Sequence, residues 1–185
     1  MRLVDVQMTK FLIISDTHGD RDILVQIINH WRSKVDGIFY NGDSELSAQD
    51  DVFSDVYTVL GNMDYDPDFA ETHTETVAGT TFFQTHGHLY QATVPGTWAN
   101  LSLMDQAAQS RGAQVVLFGH THLEGAVSYH HKLFINPGSI SLPKGPRAMI
   151  GGTYAILAVE EKQYVVHFYN RAQQLLENLT VSVER

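Results

Sequence analysis

Val115 to Gly125 reads VVLFGHTHLEG, and the meaning of its two histidines decides how the whole chain is organised. Val115 to Phe118 is an unbroken apolar run, the pattern of a strand buried on both faces. It stops abruptly at Gly119-His120-Thr121-His122. Packing gives no reason to place two imidazoles one residue apart, between glycines, at the mouth of a buried strand. Chemistry does, because strand ends of an open α/β sheet converge on one crevice.

The same grammar recurs upstream. Lys10 to Ser15 (KFLIIS) is an apolar run broken by DTHGD, and Arg21 to Arg32 then carries Ile23, Leu24, Ile27, Ile28 and Trp31 at helical spacing. Gly37 to Tyr40 is a short strand ended by NGD, and Val56 to Leu60 is another ended by GNMD. Glu75 to Val77 and Thr80 to Thr85 flank Ala78-Gly79 as a hairpin that closes on THGH. Thr97 to Arg111 reads as a helix with Leu101, Met104, Ala107 and Ala108 on one face. From Gly125 onward the chain is a series of short strand-like runs (Ala126 to Tyr129, Leu133 to Asn136, Thr153 to Val159, Tyr164 to Tyr169, Thr180 to Val183), with turns at His130-His131 and Glu161-Lys162. Parallel α/β units followed by antiparallel strands predict an α/β sandwich, with two mixed sheets packed face to face and helices on the outer faces, an αββα arrangement.

With 185 residues and no linker-like segment, the expectation is a single domain over residues 1–185, able to bury roughly 70% of its unfolded surface. The chain has no cysteine, which excludes disulfide frameworks, thiol catalysis and cysteine-rich zinc sites. Any metal must be held by His, Asp, Asn or Glu. The apolar content of MRLVDVQMTKFLIIS is interrupted by Asp5, Gln7, Thr9 and Lys10, too soon for a secretory or membrane-spanning segment. The expected location is therefore the cytoplasm, with no membrane association. Met8 directly precedes the first strand, so Met1 to Gln7 reads as an N-terminal extension. Twelve basic against twenty-one acidic residues give a net charge of −9; no stable nucleic-acid complex is expected from that balance. An anionic substrate needs local compensation, which divalent cations supply. Homo-oligomers stay open.

Asp16 and His18, Asp43, Asn62, His86, and His120 with His122 each fall just after an expected strand. Imidazole, carboxylate and amide donors in that mixture suit Mn²⁺, Fe²⁺, Zn²⁺ or Co²⁺. Seven donors exceed one tetrahedral ion; two ions sharing a carboxylate is the economical arrangement, and Asp43, alone in its loop, is the natural bridge. Taken alone, HTHLE also fits the start of a metallo-β-lactamase site and HGH the H-x-H of an amidohydrolase. Context weakens both: the first lacks a histidine after its acidic residue, and the second expects H-x-H on the opening strand, where Asp16-Thr17-His18 stands.

The ordered set DTHG, NGD, GNMD, THGH and GHTH resembles the calcineurin-like metallophosphoesterases, and within them the small YfcE-type phosphodiesterases, which also share NPGS (Asn136 to Ser139). The resemblance covers Asp16 to about Ser139. It implies a dinuclear, metal-dependent phosphoesterase, most directly a phosphodiesterase acting on small or nucleotide-like phosphate esters through a metal-bridged hydroxide. Asp16, His18 and His122 would hold one ion, Asn62, His86 and His120 the other, and Asp43 would bridge. Asp43, Asn62, Asp64 and His88 form the expected set around the reaction. His88 is placed at the rim, with a structural hydrogen bond as its competing role. Lys144 and Arg147 would meet a substrate phosphate only if their loop folds over the metals. Met63 stands where many relatives carry a histidine after the asparagine. The alternative on the same fold is a non-catalytic protein-binding scaffold, as in the retromer subunit, which has lost part of the ligand set; here the set is complete.

Overall fold

The computed structural model describes residues 8–94 and 97–185; the expected extension, Met1 to Gln7, lies outside them. One sheet contains β1 (Thr9–Ile14), β2 (Gly37–Tyr40), β3 (Tyr57–Thr58), β9 (Thr153–Val159), β10 (Gln163–Asn170) and β11 (Val181–Glu184), in the order β11-β10-β9-β1-β2-β3. The other contains β4 (Thr72–Val77), β5 (Thr80–Thr85), β6 (Val115–Leu117), β7 (Gly125–Tyr129) and β8 (Lys132–Asn136), in the order β4-β5-β6-β8-β7. Both sheets are mixed: β1, β2 and β3 run parallel, as do β5, β6 and β8, and the other pairings are antiparallel. The parallel pairing of β8 corrects the expectation that only antiparallel strands follow Gly125.

Side-chain alternation along the strands builds the sandwich. Phe11 and Ile13 of β1, Phe39 of β2, and Ala155, Leu157 and Val159 of β9 face Phe82, Val115, Leu117, Leu133 and Ile135 of the second sheet. Phe82 is the keystone: its ring lies 4.7 Å from that of Phe11 and 4.6 Å from that of Phe39. The other residues of β1, Leu12 and Ile14, turn outward beneath α1 (Arg21–Trp31), which contributes Ile23, Leu24, Ile27 and Ile28. On the opposite flank, α2 (Ser102–Ser110) lays Met104 and Ala108 over Phe83, Val116, Phe118 and Phe134. The two flanks complete the αββα layers.

Two element boundaries differ from the sequence expectation for visible reasons. The helix expected from Thr97 begins only at Ser102, because the Asn100 side chain accepts from the Ser102 amide and the Asn100 amide bonds Ala92 O. Trp98 instead packs edge-on against Phe118. The strand expected over Val56 to Leu60 reduces to two paired residues, since the Leu60 amide leaves the ladder for Ala70 O.

Candidate metal centre

The parallel strands end on the same side of the sandwich, and the loops that leave β1, β2, β3, β5 and β6 bring the expected residues together. Loop β1 is zipped to loop β2: the amides of Asp16, His18 and Gly19 donate to the carbonyls of Gly42, Asp43 and Ser44. Asp16, His18, Asp43, His120 and His122 all adopt left-handed backbone angles, with φ from 47° to 67°. Non-glycine residues rarely sit there, and each costs on the order of 1–3 kcal/mol that the surrounding structure must offset. The strain aims these side chains inward.

Asp16, His18, Asp43 and His122 each offer a donor atom within 4.8 Å of the others. Asp16 Oδ1 lies 3.2 Å from His122 Nε2, 3.8 Å from His18 Nε2 and 3.9 Å from His86 Nε2, yet this fully buried oxygen accepts no hydrogen bond. The two imidazole nitrogens His18 Nε2 and His122 Nε2 face each other at 3.3 Å. A second group adjoins the first. His86 Nε2 is 3.0 Å from Asn62 Oδ1 and 3.3 Å from Asp43 Oδ2, so Asp43 touches both groups. The His120 ring lies beside this second group, 5.1 Å from that of His86, and its backbone amide donates to Asp16 Oδ2.

The outer nitrogens of three rings settle their tautomers. His18 Nδ1 donates to Glu45 Oε1 at 2.9 Å, His86 Nδ1 to Asn41 O at 2.7 Å and His122 Nδ1 to Leu142 O at 2.6 Å. In the neutral rings, each Nε2 lone pair therefore points into the cluster. Facing lone pairs and an orphaned carboxylate oxygen repel one another unless a cation sits among them. This donor set fits divalent metal.

Electrostatics agree. Burial pushes the His86 imidazole down, but the Asp16 carboxylate and the contacts with Asp43 outweigh it and raise His86 to about 9. Burial likewise pushes the carboxyls of Asp16 and Asp43 up, and the neighbouring imidazoles reverse this and hold both below the ordinary range. His120 falls to about 4 through burial and the charge on His86. A site that holds a proton on His86 this firmly is a site of strong negative potential.

A family model for the calcineurin-like phosphoesterase superfamily domain matches residues 9–162. The chain belongs to the calcineurin-like phosphoesterase superfamily. Among its relatives, Probable metallophosphoesterase YsnB of Bacillus subtilis (strain 168) is 36% identical over 168 residues, covering 91% of this chain and 95% of that protein. Phosphodiesterase YfcE of Escherichia coli (strain K12) is 27% identical over 164 residues, covering 75% of this chain and 83% of that protein. A solved structure from Streptococcus pneumoniae TIGR4, described as a conserved uncharacterized protein and predicted phosphoesterase, superposes with a TM-score of 0.90 at 31% identity, covering 96% and 98% of the two chains. Vacuolar Protein Sorting 29 from Cryptosporidium parvum shares the fold, with a TM-score of 0.65 at 18% identity over 96% and 97% of the chains.

Not every expected residue of this calcineurin-like site points into the cluster. The Asp64 carboxylate faces the backbone of loop β2 and of its own turn after β3: Oδ2 accepts from the amides of Asp43 and Gly61, and Oδ1 from the amides of Ser44 and Glu45 and the Ser44 hydroxyl. Through these bonds Asp64 clamps the loop that presents Asp43. His88 stands beside the second group, its ring 5.4 Å from His86 and 6.1 Å from His120, with a buried, unpaired Nδ1. Arg147 turns to Glu124, where its Nε makes an ion pair and Nη2 bonds the carbonyl, and Lys144 is an exposed side chain.

Ser15 and Tyr40 escaped the sequence reading because their identity carries no motif of its own, and Asn136 and Ser139 entered it only within NPGS, without a role. Ser15 Oγ bonds Asp16 Oδ2, Ser139 Oγ donates to Asp16 O, and the Tyr40 hydroxyl joins Thr17 to Asp43 O. Asn136 holds Gly119 O and Thr121 Oγ1. That explains two of the NPGS residues. The motif glycines have a readable cause: a Cβ on Gly119 would meet Ser15 Oγ at 2.1 Å and Asp16 Oδ2 at 2.7 Å, and one on Gly61 would meet Asp43 Oδ1 at 2.1 Å.

Proposed function

We propose that this chain is a dinuclear metal-dependent phosphoesterase that hydrolyses small or nucleotide-like phosphodiesters. The observation that carries the reading is the convergence of Nε2 lone pairs from Nδ1-anchored imidazoles on the orphaned Asp16 Oδ1 and on Asp43. Asp16, His18 and His122 would hold one ion, Asn62, His86 and His120 the second, with Asp43 between. When bound, two divalent ions of the Mn²⁺, Fe²⁺, Zn²⁺ or Co²⁺ class supply Lewis acidity toward the phosphoryl oxygens and a nucleophilic water at neutral pH. The diester preference takes its support from the relative named phosphodiesterase.

The chain's own residues do the remainder. Glu45 and the carbonyls of Asn41 and Leu142 keep three rings in the coordinating tautomer, and Asp64 fixes the loop that presents Asp43. His88 stands beside the second group, its ring 5.4 Å from that of His86 and 6.1 Å from that of His120. Met63, partly exposed at the rim, has no proton to give a leaving oxygen. Esters whose leaving groups need no protonation are therefore the expected good substrates.

The test is hydrolysis of bis(p-nitrophenyl) phosphate by chain stripped with EDTA and then resupplied with each metal. Turnover that disappears with EDTA and returns with at least one metal supports the reading. Failure of Mn²⁺, Fe²⁺, Zn²⁺ and Co²⁺ alike would refute it and favour the protein-binding scaffold.

A further inference from the structure

Arg171 lies beyond the region matched by the family model, in the connection between β10 and β11. Its guanidinium reaches two loops that meet at the metal centre. Nη1 donates to Ile140 O at 2.9 Å and to Ser141 Oγ at 3.3 Å, while Nη2 donates to Asp20 Oδ2 at 2.8 Å. Each target is one step from a candidate ligand. Asp20 closes the Asp16-Thr17-His18-Gly19 turn, its amide bonded to Thr17 O and its other carboxylate oxygen capping α1 at Ile23. The Ile140-Ser141 segment runs directly into Leu142, whose carbonyl fixes the His122 ring.

The arginine is presented from a braced loop. Asn170 Oδ1 accepts from the amides of Ala172 and Gln174, the Asn170 amide bonds Gln174 O, and Gln173 Oε1 accepts from the Tyr154 hydroxyl, which in turn accepts from Trp31 Nε1. A planar fork on a rigid mount is suited to hold two groups at fixed separation, which a flexible ammonium is not.

We infer that Arg171 is a positioning residue for the candidate metal centre: by tying Asp20 to the Ile140-Ser141 backbone it sets the distance between His18 and His122, the facing imidazoles of one ion site. This rests on the metal-centre reading above. Asn62 and His86 approach from loops that Arg171 does not touch, whereas His120 shares the loop of His122, so the influence of Arg171 falls more heavily on the ion between His18 and His122 than on the other.

The experiment measures Mn²⁺ binding by calorimetry, and melting temperature without metal, for wild type, Arg171→Ala, Arg171→Lys and Arg32→Ala. Arg32 is the control, an exposed arginine bonded to Ser54 O away from the ligand loops. Loss of an outer partner of a metal ligand typically weakens binding by about 10–100-fold; at one remove further, Arg171→Ala is expected to weaken one Mn²⁺ site about tenfold and the other distinctly less. Arg171→Lys, which keeps the Asp20 pair and loses the simultaneous carbonyl bond, falls between. Arg32→Ala leaves both sites unchanged. Two wild-type sites with an identical isotherm for Arg171→Ala, or equal weakening of both sites, would overturn the inference alone. A wild type that binds no ion would overturn the proposed function and this inference with it.

Discussion

Replacing Asp64 by asparagine changes one atom type and keeps the shape, yet the structure predicts a large effect. The carboxylate accepts from the buried backbone amides of Asp43 and Gly61 on one oxygen, and from Ser44, Glu45 and the Ser44 hydroxyl on the other. An amide can turn only one acceptor toward these donors. Whichever way it is oriented, its NH₂ group confronts at least two backbone N–H groups. Each orphaned donor costs about 1–3 kcal/mol, so Asp64→Asn should destabilise by about 2–6 kcal/mol. At about 2–4 °C per kcal/mol for a chain of this size, the melting temperature should fall by roughly 10 °C. Because the same clamp presents Asp43 and Glu45, Mn²⁺ affinity should fall as well. Scanning calorimetry in EDTA reads the first effect and a Mn²⁺ titration the second. A melting temperature within about 2 °C of wild type and unchanged Mn²⁺ binding would refute the clamp.

Other outcomes follow from the same geometry. His86, raised from 6.5 to about 9, contributes stability in the metal-free chain that is fully present below pH 6.5 and is lost as pH rises through about 9; the metal-free melting temperature should fall across that window. Metal must displace that proton, so Mn²⁺ affinity should rise about tenfold per pH unit up to about pH 9, and a pH-independent isotherm between 7 and 9 would contradict the assignment. Gly119→Ala drives a Cβ into Ser15 Oγ and Asp16 Oδ2, and is expected to abolish tight Mn²⁺ binding; wild-type affinity would count against the packing argument. Met63→His should improve alkyl esters selectively, by up to about 10²-fold, flattening the dependence of kcat/KM on leaving-group pKa. Equal slopes for the two proteins would show that leaving-group protonation is supplied elsewhere.

Much of this architecture was legible because buried strands and ligand loops leave separate marks. The run from Val115 to Phe118 announced β6, and Gly119-His120-Thr121-His122 announced the loop, since a polar pair has no packing role there. The helix start at Ser102 was hidden because Asn100 takes the Ser102 amide in a local side-chain bond that competes with the helical periodicity visible from Thr97. Asp64 illustrates the limit at the site. The sequence shows a carboxylate beside Asn62 and Met63, but its hold on the loop of Asp43 depends on the turn from Gly61 to Asp64, which only the fold supplies. The roles of Glu45, of Leu142 and of Ser139 at the end of NPGS were hidden for a related reason: they act on a ligand far away in sequence, and in two of the three contacts the acting or receiving atom is a backbone oxygen.

Anomalous diffraction from crystals of the full chain grown with Mn²⁺ tests the dinuclear centre most directly. The account predicts two peaks about 3.5–4 Å apart, one among Asp16, His18 and His122, the other among Asn62, His86 and His120, with Asp43 contacting both. A single peak, a pair bound elsewhere, or Asp43 contacting only one ion would contradict it.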